Sequence, residues 1–312
     1  MNRFGWFLGV MLCVFLFPLT WSWGYTEVSV TNGGQITGTV KLKGLEPPPL
    51  AFNLAISSDP AFCGRISTGS GWRLLDQFDV SPEGGLQNVV VMLEGIEQGK
   101  PVEMGPATVE AKDCIFSPQV MVVRDQQEVR VMNMDPIIHD VQVYETAPFG
   151  SGIMFHRPLR MNPHHSMIEP QNHDHSPGEP MIDTFRFSRG RRIFLIECGF
   201  HAYMQTWGVA VNNPYYALTD SEGRFTISDI PKGVYSLVAW HPGVGGILHM
   251  QVVVLPNDIL KTHFIFDAPP ETRNAHTTMV DNPHFSIDAI GREGETPDVV
   301  TDHEVQGPMA HH

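Results

Sequence analysis

A chain of 312 residues carries 20 Lys and Arg against 34 Asp and Glu, a formal net charge of −14. That balance argues against nucleic acid or an anionic lipid surface as a partner, since both would repel it. The 29 Gly and 25 Pro recur between apolar runs and so indicate many turns in a folded chain rather than a disordered polymer.

The chain opens with Met1-Asn2-Arg3 and an apolar stretch from Phe4 to Thr20, and Ser22-Trp23-Gly24 offers a small-x-small cleavage site. Residues 1–24 therefore read as a secretory signal, with the mature protein starting near Tyr25 and residing in the periplasm or outside the cell. An uncleaved membrane anchor is the alternative. No later stretch is apolar for long enough to span a bilayer.

Residues 25–106 are expected to form a β-rich extension packed on the domain that follows, with strand signals at 35–40 and 88–93. Signal removal takes Cys13 away and leaves Cys63, Cys114 and Cys198. Cys63 and Cys114 lie in turn contexts, where an oxidising compartment would let them pair; two separately buried thiols are the other reading.

A strand signal at 128–132 is followed by the polar turn Asn133-Met134-Asp135-Pro136 and a strand-like run, His139-Asp140-Val141-Gln142-Val143-Tyr144. Residues 149–180 then gather Met154, His156, Met161, His164, His165, Met167, His173 and His175 among prolines, and read as a surface loop able to hold a second metal. Arg186, Arg189, Arg191 and Arg192 read as a solvated hairpin.

The apolar run Ile193-Phe194-Leu195-Ile196 leads into Cys198-Gly199-Phe200-His201-Ala202-Tyr203-Met204. This C-x2-H-x2-M loop offers a thiolate, an imidazole and a thioether, three of the four ligands of a type 1 (blue) copper site. His139 fits the missing imidazole if its strand lies beside that of Cys198. Alternation puts Cys198 on the face of Phe194 and Ile196, so the sulfur should point into the apolar interior. A single Cys in the loop argues against a binuclear centre.

After Pro214, turn signals at Asp220-Ser221-Glu222-Gly223 and Ile230-Pro231-Lys232-Gly233, with the apolar run at 251–255, outline a second, small β-sandwich. Trp240-His241-Pro242-Gly243 falls at a strand end and reads as a packing and hydrogen-bonding pair. Residues 269–312 lose alternation and read as an extended or disordered tail. No nucleophile triad, phosphate-cradling loop or dinucleotide fingerprint is present.

At these residues the chain resembles two known families. Residues 107–212, with the C-x2-H-x2-M loop, are similar to cupredoxins, and the loop resembles the short ligand loop of the amicyanin type. Residues 213–268 are similar to carboxypeptidase regulatory-like, or transthyretin-like, domains through T-D-x-x-G-x-F-x-I-x-x-I-P-x-G-x-Y, which begins at Thr219 and ends at Tyr235. Secreted bacterial methylamine-utilisation and plastocyanin-like proteins join such modules.

The resemblance implies an all-β chain, a Greek-key cupredoxin sandwich followed by the smaller one. It implies one type 1 copper on His139, Cys198 and His201, with Met204 as the weak axial ligand. It further implies single-electron transfer without a catalytic site, to a redox protein such as a c-type cytochrome or a periplasmic or extracellular oxidoreductase. The His201 edge, among Phe200, Ala202 and Tyr203, would be the exit. Asp140 stands where many cupredoxins have an Asn that ties the ligand loops together. The rival readings are a copper-trafficking protein that uses the His/Met loop and a structural subunit of a cell-surface complex.

Overall fold

The computed structural model describes residues 24–54, 58–63, 72–147, 150–165, 176–188 and 190–269. The expected signal sequence up to residue 23, the expected tail from residue 270, and Met167, His173, His175 and Arg189 lie outside the described residues.

The chain is all-β, with one four-residue helical turn among the described residues. Its N-terminal third holds β1 (Thr26–Glu27), β2 (Gly34–Lys43), β3 (Leu50–Asn53), the turn α1 (Pro60–Cys63), β4 (Trp72–Leu75), β5 (Val90–Glu94) and β6 (Gln98–Gly99). The middle holds β7 (Ala107–Lys112), β8 (Ile115–Ser117), β9 (Val120–Val123), β10 (Glu128–Asn133), β11 (His139–Ala147), β12 (Gly150–Leu159), β13 (Met181–Thr184), β14 (Ile193–Cys198) and β15 (His201–Ala210). The remainder holds β16 (Tyr216–Leu218), β17 (Arg224–Ile230), β18 (Gly233–Trp240), β19 (Ile247–Val254) and β20 (Ile259–Asp267).

A four-stranded sheet in the order β13-β10-β7-β8 and a five-stranded sheet in the order β12-β11-β14-β15-β9 enclose the first core. Alternation is clean in β14, which buries Phe194, Ile196 and Cys198 while its other residues are half-buried. These three join Val129, Val131, Val141, Val143 and Phe185 in one cluster.

Ten residues of the segment expected to be a His/Met loop, Gly150–Leu159, are a strand. β12 pairs with β11 from His139↔Leu159 to Ala147↔Gly150, burying Phe155 and Leu159 while Ile153 stays 68% exposed. As an edge strand with one face in water, it carries too many polar residues for its few inward positions to mark it as regular.

The N-terminal segment also departs from expectation. β2 lies between β17 and β20, and β5 lies between β16 and β18. The second sandwich is therefore assembled from both ends of the described chain, with β7 to β15 inserted between its strands. Burial gives the reason: Ile36, Val40 and Leu42 of β2 need an apolar partner and find Phe225, Ile227, Phe264 and Phe266. β5 is buried on both faces, Val91 and Leu93 facing this second core and Val90 and Met92 facing Val120, Val209, Val238 and Trp240 at the contact between the sandwiches. Its continuous apolar run is what a doubly covered strand requires. Among the described residues between β2 and β4, Phe52, Leu54, Phe62 and Cys63 pack on the first core.

His241, directly after β18, is a structural residue. It is 2% exposed, stacks on Phe78 with ring centroids 5.4 Å apart, and accepts the Gly243 amide at Nδ1 over 3.1 Å. Burial holds its pKa down at about 4. The unfolded chain takes up this proton near pH 6.5 and the folded chain does not, so the stabilising contribution is complete above pH 6.5 and is lost as pH falls toward 4. Urea unfolding of wild type and His241→Gln across that window should show wild type losing on the order of 3 kcal/mol more than the variant.

Candidate metal centre

β11 and β14 run side by side, with Val141 opposite Cys198. His139, two residues before Val141, therefore shares the inner face with Cys198. β14 and β15 form a hairpin in which Ile196 faces Thr206, and an irregularity after Glu197 leaves Cys198 paired with His201. Met204 lies two residues from Thr206 on that same inner face, is 0% exposed and belongs to the cluster that contains Cys198.

The hairpin and the neighbouring strand bring three donors together. The ligand atoms of His139, Cys198 and His201 all lie within 4.8 Å of one another, and all three residues are buried. Cys198 Sγ is 3.7 Å from Nδ1 of His139 and 3.5 Å from Nδ1 of His201. Each ring's other nitrogen meets an oxygen: Nε2 of His139 donates to Asp135 at 2.9 Å, and Nε2 of His201 donates to the Ser58 carbonyl at 3.1 Å. Such outer partners fix the tautomer and leave Nδ1 turned toward the sulfur.

The electrostatics favour a thiolate. Burial alone would keep the Cys198 thiol neutral, but hydrogen bonds from His139 and His201, and then their charges, bring its pKa down to about 6. Burial likewise opposes charge on His139, and the hydrogen bonds to Asp135 and Cys198 outweigh it, raising its pKa to about 9. The metal-free pair thus leans toward imidazolium and thiolate. Next door, burial and the Cys198 charge push the Glu197 carboxyl up to about 7.

Asp140 ties the two ligand segments through its backbone. Its carbonyl accepts the Gly199 amide at 2.8 Å and its own amide points at Cys198 Sγ over 3.4 Å. The carboxylate turns outward to His156 and to Nε2 of Gln142. A main-chain tie needs no particular side chain, which is why Asp serves at this position.

Three supporting groups were not identified from the sequence. Asp135 is fully buried and accepts the amides of Asp113 at 2.7 Å and Cys114 at 2.9 Å besides His139. Asn133 closes the turn that presents it, accepting the Asp135 amide at 2.9 Å and donating to the carbonyls of Ile137 and Arg160. The third is Ser58, through its carbonyl. The Asn-x-Asp turn before His139 was the available clue to the first two. Removing the Asp135 acceptor leaves three N–H donors without it, at about 1–3 kcal/mol for each one that stays unsatisfied. Asp135→Ala is therefore expected to lower the stability of the metal-free protein by roughly 3 kcal/mol or more in a urea titration.

The exposed His201 edge expected from the sequence is absent. His201 is 0%, Ala202 2% and Tyr203 5% exposed. The segment from Leu50 to Cys63 covers them, Phe52 meeting Tyr203 edge-on with centroids 5.7 Å apart and Cys63 Sγ lying 3.5 Å from Nε2 of His201. The expected Cys63–Cys114 disulfide is formed, and Cys198 is the free cysteine among the described residues.

Among known families, the profile described as polysaccharide lyase family 4, domain II, matches residues 202–258, from β15 to the turn after β19. No curated protein matches the chain. Solved structures similar to part of it include a copper-containing nitrite reductase from Thermus scotoductus SA-01, 18% identical over 36% of this chain with a TM-score of 0.24. That match spans 24% of the reductase. A purple cupredoxin from Nitrosopumilus maritimus is 14% identical over 34% of this chain and 99% of its own, with a TM-score of 0.24. Auracyanin from Roseiflexus castenholzii is 11% identical over 35% of this chain and 99% of its own, with a TM-score of 0.25.

The donor set itself provides the test of fit. One cysteine sulfur and two imidazole nitrogens converge in the buried interior, each imidazole is anchored from behind, and a thioether sits on the same face. Mixed soft and borderline donors of this kind suit copper.

Proposed function

We propose that this protein is a mononuclear type 1 copper protein that carries single electrons between redox partners. The observation that carries the reading is the buried convergence of Cys198 Sγ with the Nδ1 atoms of His139 and His201. Copper held by a thiolate, two imidazoles and a weak thioether supplies reversible one-electron chemistry. In this reading Cys198, His139 and His201 are the strong ligands and Met204 the axial one. The Asp140 amide moderates the charge on the sulfur, and Asp135 and the Ser58 carbonyl hold the rings.

Complete burial of the three donors favours electron transfer to a docked protein over turnover of a substrate at the site. The partner is a redox protein such as a c-type cytochrome or a periplasmic or extracellular oxidoreductase, and the protein's place is the periplasm or outside the cell, where a disulfide persists. Visible absorption and EPR on copper-loaded protein test the reading. An intense thiolate-to-copper band at one copper per chain is expected, and an uncoloured protein with full copper occupancy would overturn it.

A further inference from the structure

The two candidate ligand rings are braced from behind by connected groups. Asp135 accepts His139 and, through the amide at 2.9 Å, fixes Cys114. Cys114 is bonded to Cys63, whose sulfur lies 3.5 Å from Nε2 of His201. Five residues before Cys63, the Ser58 carbonyl holds that same nitrogen at 3.1 Å. Cys63, Cys114, His139, Cys198 and His201 are all 0% exposed. The disulfide thus runs from the support of one imidazole to the support of the other.

Chain topology makes this placement more than a staple. The chain leaves the second sandwich after β2 and is back in its core by Phe78, so the described residues between Leu50 and Cys63 reach the metal centre as an excursion. Besides the bridge, it is held there by side-chain contacts such as Phe52 on Tyr203 and Phe62 on His165. A disulfide that acts only on the entropy of the unfolded chain has no need of contact with a particular ring. This one touches His201 and shares the Asp135 carboxylate with His139.

We infer that the Cys63–Cys114 disulfide is a positioning device for the metal centre, clamping the Ser58 carbonyl over His201 and the Cys114 amide on Asp135 so that both imidazoles stay aimed at Cys198. Part of this rests on the copper reading, and part does not. Without the bridge the covering segment loses its covalent tie, the hold on His201 loosens and solvent reaches Cys198.

The test uses the full chain with Cys63→Ser and Cys114→Ser together, which leaves no new thiol. In the metal-free state, Cys198 should react with a disulfide-exchange thiol reagent at least tenfold faster in the double variant than in wild type. In the copper-loaded state, the variant's EPR spectrum should differ from wild type and change further on addition of free imidazole, whereas wild type should not respond. Leu237→Ala, a core truncation in the other sandwich, should move neither readout, which separates positioning from general destabilisation.

A folded double variant with wild-type Cys198 reactivity and an unchanged EPR spectrum would overturn the inference. Should the variant not fold, exchange of the His201 Nε2 proton in metal-free wild type decides: slow exchange supports the clamp, and exchange as fast as an exposed histidine overturns it. A wild type that binds copper without the thiolate band sinks the electron-carrier reading, while the metal-free measurements still decide the clamp.

Discussion

Cys198→Ser is expected to abolish the visible thiolate-to-copper band and to weaken copper binding by more than the roughly 10–100-fold that loss of an outer partner costs. Three polar groups around Cys198 Sγ are arranged for a sulfur anion: two Nδ1 atoms at 3.5 and 3.7 Å and the Asp140 amide at 3.4 Å. A serine hydroxyl is smaller, harder and far less acidic, so it cannot supply the soft anionic donor that selects copper. Competition with a chromophoric chelator measures the affinity, and the absorption spectrum of the same sample reports the band. Retention of the band in the variant would remove Cys198 from the site.

Phe194→Ala should cost about 3–5 kcal/mol, the range for emptying a buried aromatic position. Phe194 is 0% exposed, with ring centroids 4.9 Å from Phe185 and 5.7 Å from Phe187. It lies opposite Gly208, where any Cβ would fall 2.4 Å from its ring. The glycine leaves room for the ring, and no side chain there can move in to fill the void. Against a typical total of roughly 5–15 kcal/mol, this is a large fraction. The midpoint in urea checks it, and a loss below about 1 kcal/mol would mean that the rings of Phe185 and Phe187 collapse into the space.

Much of the centre was legible in the sequence because its cues are local. Alternation along 193–198 put Cys198 inside, the turn at 133–136 followed by a strand run singled out His139, and His201 and Met204 came with the loop. Composition in the turns, with an oxidising compartment, suggested the Cys63–Cys114 pair. The supports were harder to see. Ser58 acts through its carbonyl, which any residue owns, and Asp135 acts through a fold that sets it beside two backbone amides. The strand β12 hid among histidines and methionines because only Phe155 and Leu159 mark its inner face as buried and apolar.

By itself the sequence determined the all-β class and the inward thiol and pointed to the three residues that meet, His139, Cys198 and His201, because side-chain alternation and turn chemistry act over a few residues. Tertiary structure alone decided that β2 and β5 complete the distant second sandwich and that the chain between them comes back over His201. Those outcomes depend on which apolar faces bury one another across more than a hundred residues, as Ile36 does against Phe225, and a strand's own pattern states that it needs a partner without saying which one.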